Sequence, residues 1–85
     1  MRIFYTSKFA RAYRKLPLDI KRLAEERERW FQADPFDPRL DTHKLHGRLQ
    51  AFWSFSIDTN YRIVFEFSDD GCVYFHTTGT HDLYR

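Results

Sequence analysis

The chain has a single cysteine, Cys72, so no disulfide can form within it. Glycine and proline are scarce, at three residues each, which excludes collagen-like and low-complexity architectures. No run is long and apolar enough to form a membrane-spanning helix. Met1 leads into a charged strand and not into a signal sequence, so the expected compartment is the cytoplasm. The sequence also lacks a glycine-rich phosphate loop, a paired-cysteine metal motif and a serine nucleophile elbow. No cofactor is expected.

Aromatic residues are abundant. They make up 19% of an 85-residue chain, enough to give one small domain, residues 1–85, a core without staples. Cys72 sits in an apolar stretch and reads as a small core residue. Charge is unevenly spread: residues 1–33 carry nine basic and four acidic side chains, whereas residues 49–85 carry two basic and five acidic ones. The basic excess therefore lies on the first third, as a solvated helix surface or as a contact for an anionic partner.

Residues 2–6 read as a strand. Ser7 is a candidate helix cap, with Phe9, Ala12, Tyr13 and Leu16 at helical spacing behind it. Pro17 interrupts that pattern and suits the first turn of a second helix over 17–33, with Ile20, Leu23, Ala24, Arg27, Trp30 and Phe31 on one face. The Asp/Pro pairs of residues 34–42 mark a loop, which Phe36 and Leu40 are expected to pin to the core. Strands follow over 50–57, 61–67 and 72–77, separated by Asp58-Thr59-Asn60 and by a turn at 68–71. Residues 78–85 form a terminal segment. In the middle strand Tyr61, Ile63, Phe65 and Phe67 share one face, while Arg62, Val64 and Glu66 share the other. The expected fold is α+β, a helical hairpin on a small twisted antiparallel sheet in the order β-α-α-β-β-β. Trp30, Phe31, Trp53, Phe55, Ile63 and Phe65 lead the expected core.

Arg62 has two readings. It is either a sheet residue paired with Glu66 or Asp58, or a fixed guanidinium whose planar fork suits a phosphate. A free histidine side chain titrates near neutrality, so His81, beside Thr80, Asp82 and Tyr84, suits proton transfer by residue type. His43 and His46 could open a metal site, but no cysteine or carboxylate set completes one. His76 lies within a strand and reads as structural.

Four pieces, HKLHG at 43–47, WSFSID at 53–58, YRIVFEF at 61–67 and TGTHDLY at 78–84, occur in this order. With them, nearly the whole chain resembles the RelE/ParE superfamily of type II toxins and is most similar to its YafQ-like branch. The resemblance implies a ribosome-dependent mRNA endoribonuclease that cleaves by attack of the ribose 2′-OH. It implies a cognate antitoxin and mRNA on the ribosome as partners, with operator DNA reached only through the antitoxin. By motif position it assigns proton transfer to His81 and His43, the scissile phosphate to Arg62 and an auxiliary place to Tyr84. The branch has a histidine where Ser56 stands and an aspartate where Asn60 stands, and YafQ itself lacks Arg62, so the implied site is a hybrid. ParE-like relatives share the fold and inhibit gyrase by binding, which is the alternative function. A further alternative is a domain retained for antitoxin binding and operon autoregulation.

Overall fold

The computed structural model describes residues 1–49, 51–80 and 82. The chain forms β1 (Arg2–Tyr5), α1 (Ser7–Arg14), α2 (Leu18–Ala33), a 3-10 turn (Pro38–Leu40) and β2 (His43–Lys44). A second 3-10 turn (Gly47–Leu49), β3 (Trp53–Ser56), β4 (Tyr61–Phe67) and β5 (Cys72–Thr80) follow. The strands make one five-stranded sheet in the order β1-β5-β4-β3-β2. The expected α+β architecture, two helices over a sheet, is the observed one.

The sheet is mixed, not wholly antiparallel. β1 runs parallel to β5, placing Ile3 beside Val73 and Tyr5 beside Phe75, while the other neighbours are antiparallel. The helical hairpin lies between β1 and β5 in sequence and supplies the long crossover that a parallel pair requires. β5 also runs to Thr80, so Thr78-Gly79-Thr80 is strand and not the start of a terminal segment.

Thr6, not Ser7, caps α1. Its Oγ1 accepts from the Phe9 N–H at 3.0 Å and donates to the His76 carbonyl at 2.9 Å. Its own N–H reaches the Phe75 carbonyl at 3.1 Å, so one residue closes the β1–β5 pairing and opens the helix. Pro17 precedes α2 in an extended conformation, at φ −57° and ψ 150°, and so starts the helix from outside it.

Phe31 of α2 is the centre of the core. Its ring stacks on Phe55 at 4.8 Å and meets Phe65 and Phe75 edge-on at 4.9 and 5.6 Å, and all four side chains are fully buried. Ile63 is buried as expected, but Trp30 and Trp53 are only partly buried at the rim. Arg27 and Arg39 both place guanidinium carbons over the Trp30 ring, at 4.2 and 3.8 Å, which ties the loop after α2 to the helix. Leu40 is fully buried and does pin that loop, whereas Phe36 remains 54% exposed against Trp53 and Phe67. At the β1 edge the Tyr5 hydroxyl donates to Glu28 Oε2. Partial burial, reinforced by that carboxylate, pushes the phenol above its ordinary range.

A bulge shapes the face turned away from the helices. Val64 pairs with Thr77 and Phe65 with Phe75, leaving His76 as the extra residue in β5. The inward set of β5 consequently changes parity, from Val73 and Phe75 to Thr78. The outward face is less open than strict alternation implies, because Ser54 and Val64 are buried on it. Cys72 stands half-buried at the start of β5, outside the core. Loss of solvent, and then the nearby Asp70 carboxylate, raise its thiol pKa and make it a poor nucleophile.

Candidate active site

The strand register carries Arg62, Ser56 and His43 to the sheet face away from the helices. Arg62 and Val64 lie on that face of β4; Ser56 stands opposite Arg62, Ser54 opposite Val64, and His43 opposite Ser54. On the other side of Arg62 the register partner is Gly79, so no β5 side chain crowds it.

Arg62 is not a loose surface side chain. Only 13% of it is exposed, and it pairs with neither Glu66 nor Asp58. Its Nη1 donates to Ser56 Oγ at 2.9 Å and lies 3.6 Å from Asp41 Oδ2. Its backbone carbonyl accepts from Thr78 Oγ1 at 2.8 Å, which fixes the strand beneath it. Asp58 instead accepts the Asn60 and Tyr61 N–H groups of its own turn, both at 2.8 Å. Glu66 pairs with His76 Nε2 at 3.1 Å, and the His76 ring meets Phe52 edge-on at 4.8 Å. His76 is therefore held in a packed polar pair.

The described residues give Nε and Nη2 of Arg62 no partner. That edge of the guanidinium is the bidentate fork suited to a phosphate. Ser56, which stands where the YafQ-like branch has a histidine, serves here as the arginine's acceptor.

His43 is exposed, and its Nδ1 lies 3.0 Å from the Asp41 carbonyl oxygen. A carbonyl only accepts, so Nδ1 carries the proton in this bond and the neutral ring leaves its Nε2 lone pair open. Asp41 thus touches both candidate groups, through its carbonyl and its carboxylate. It follows the Pro38–Leu40 turn in a left-handed conformation, φ 50° and ψ 46°, which aspartate tolerates better than most residues. The sequence reading left Asp41 within the loop. The available signal was an aspartate in the Asp/Pro-rich segment, two residues ahead of a candidate histidine.

His81 and Tyr84 lie outside the described residues. His46 is exposed, and the described residues contain no group of three or more His, Cys, Asp or Glu able to hold a metal ion. On the other side of the molecule, Lys8 and Arg11 of α1 and Lys15 just after it line a groove of about 390 Å³ with Thr80 and Tyr61. Arg14 and Arg22 are also exposed on the helical layer.

No protein-family model and no curated protein matches the sequence. Solved structures do match the fold. A YoeB/ParE toxin from Agrobacterium tumefaciens superposes with a TM-score of 0.79 at 18% identity, covering 95% of this chain and 99% of that one. The RelBE2 toxin–antitoxin complex of Mycobacterium tuberculosis gives 0.77 at 20% identity, covering 94% and 96%. YafQ from E. coli gives 0.76 at 16% identity, covering 98% and 97%. The fold is that of the RelE/ParE toxins, and the YafQ-like likeness read from the sequence holds at the level of structure.

Proposed function

We propose that this chain is the toxin of a type II toxin–antitoxin pair and an endoribonuclease that cuts mRNA on the ribosome. The observation that carries this reading is the pairing of two chemistries on one sheet face. A guanidinium is held by Ser56 while the described residues give its fork edge no partner, and His43 nearby has no partner at Nε2 among them. A protein that acted by binding alone would have no need for a proton-transfer group.

In this mechanism Arg62 receives the scissile phosphate through Nε and Nη2 and stabilises the charge that builds on its oxygens. The 2′-oxygen bonds to phosphorus as the bond to the 5′-oxygen breaks. One group takes the 2′-OH proton and another protonates the leaving 5′-oxygen. His43 Nε2 fills one of these places and His81 the other, with Tyr84 as an auxiliary; the assignments of His81 and Tyr84 rest on their motif positions. The partner is an antitoxin with an acidic segment, for which Arg11, Arg14, Lys15, Lys21 and Arg22 provide a complementary surface. Operator DNA is reached through that antitoxin.

The test is cleavage of a defined mRNA by the purified protein, with and without ribosomes. Cleavage is expected only with ribosomes. Arg62→Ala, His43→Gln and His81→Gln should each be slower by roughly a hundred- to a thousandfold, once shown to fold. Full activity in all three variants refutes the site. No cleavage by the wild type, together with inhibition of gyrase, moves the protein to the ParE-like reading.

A further inference from the structure

Arg62 and Asp41 differ sharply in their access to solvent. The arginine side chain is 13% exposed and the aspartate side chain 69% exposed, with 3.6 Å between Nη1 and Oδ2. The carboxylate therefore lies on the solvent side of the guanidinium. The separation is an ion pair beyond hydrogen-bonding reach, whereas Ser56 on the protein side is bonded at 2.9 Å. Arg62 is thus held from below by a neutral hydroxyl and faced from above by a loosely placed anion. A carboxylate in that place is the nearest thing in the protein itself to a phosphate oxygen.

The other side chains around Arg62 do not share this role. Val64 is apolar, Gly79 has no side chain and Ser56 is uncharged. Glu66 is taken up by His76 and Asp58 by its own turn. Asp41 alone among the described residues places a negative charge in ion-pair contact with the guanidinium. The backbone places it there by a definite device, the left-handed turn at φ 50° after the 3-10 helix, and its N–H is tied back to the Pro38 carbonyl at 3.3 Å.

We infer that Asp41 is a specificity-determining residue: its carboxylate, placed against Nη1 beside the Nε/Nη2 edge that receives the phosphate, opposes the binding of any anion there by charge repulsion. This deepens the nuclease reading and rests on Arg62 being the phosphate site. A lone phosphate or mononucleotide brings one anionic group and is repelled by an anion fixed to the fold. An RNA strand anchored at several points brings its phosphate at high local concentration and overcomes that repulsion. The site therefore discriminates between polymer and free metabolite phosphates by charge, without a lid.

The test is binding of inorganic phosphate in low salt, followed by NMR at the Arg62 Nε–H. The variants are Asp41→Asn, Asp41→Gly, Arg62→Ala and the double variant Arg62→Ala/Asp41→Asn. Asparagine and glycine both tolerate the left-handed backbone, so each removes the charge and keeps the turn. Removing a like charge next to the ligand should tighten phosphate binding by about five- to tenfold, with the gain shrinking as salt rises. In the Arg62→Ala background, followed by backbone amide shifts, the gain should vanish. Unchanged affinity in both Asp41 variants overturns the inference. An equal gain without Arg62 also overturns it, because the effect would then be general surface charge. If phosphate binding tightens through Arg62 while the wild type cleaves no RNA, the inference stands and the nuclease reading falls.

Discussion

The two faces of the sheet are built on opposite terms. The face under the helices is closed by four phenylalanines at zero exposure, Phe31, Phe55, Phe65 and Phe75, which touch one another without any polar atom. The opposite face is assembled from pairs: Arg62 with Ser56, Asp41 with His43, Glu66 with His76. Area burial is collective and tolerates approximate geometry, whereas each polar pair is worth little and depends on the angle of one side chain. The helix face therefore supplies the stability, and the other face is free to carry groups chosen for chemistry.

The most severe way to test this division is Phe31→Ala. It removes the ring by which α2 touches Phe55, Phe65 and Phe75 of the sheet, and should lower the unfolding free energy by about 3–5 kcal/mol, measured by denaturant titration. A loss below 1 kcal/mol would show that the outward face contributes more than this comparison allows. A smaller effect is expected at the junction of the two layers. Thr6→Ala removes both the α1 cap and the bond to the His76 carbonyl, and should cost about 1 kcal/mol, within a range of 0.5–2. The smallest effect sharpens the comparison from the polar side. Ser54 is fully buried on the outward face, and its Oγ has no hydrogen-bond partner among the described residues. An unsatisfied buried hydroxyl is a cost of about 1–3 kcal/mol, so Ser54→Ala should leave the melting temperature unchanged or raise it. A clear fall would mean that the hydroxyl is satisfied in solution.

The sequence disclosed those features whose causes are local. The helical spacing of Ile20, Ala24 and Phe31 and the alternation of Ile63 and Phe65 against Arg62 all appear in the fold. The features it hid depend on distant partners. Nothing within RIFYT says that it will lie parallel to a strand some seventy residues away in register, Arg2 beside Cys72. Gly79 disguised the end of β5, because glycine between threonines reads as a break while the β-branched neighbours favour a strand. The bulge at His76, which changes the parity of the buried positions in β5, leaves no mark in the local sequence, and burial of Val64 follows from packing that alternation does not encode. In the candidate site, His43 and Arg62 were legible by residue type. Asp41 was not, because its role depends on a backbone turn that brings its two oxygens to two different partners.

The strand order has a consequence for the birth of the protein. Among the described strands β5 is the last made, yet it lies inside the sheet between β1 and β4, and α1 packs against it. Until synthesis has passed Thr80, the first strand has no neighbour and the first helix has no floor. Throughout that time the nascent chain can hold only β2, β3 and β4 as paired strands. Arg62 and Ser56 can already face one another, but Gly79 has not joined them. A protein that acts on ribosomes in the proposed way would thus gain its complete sheet only once β5 has been made.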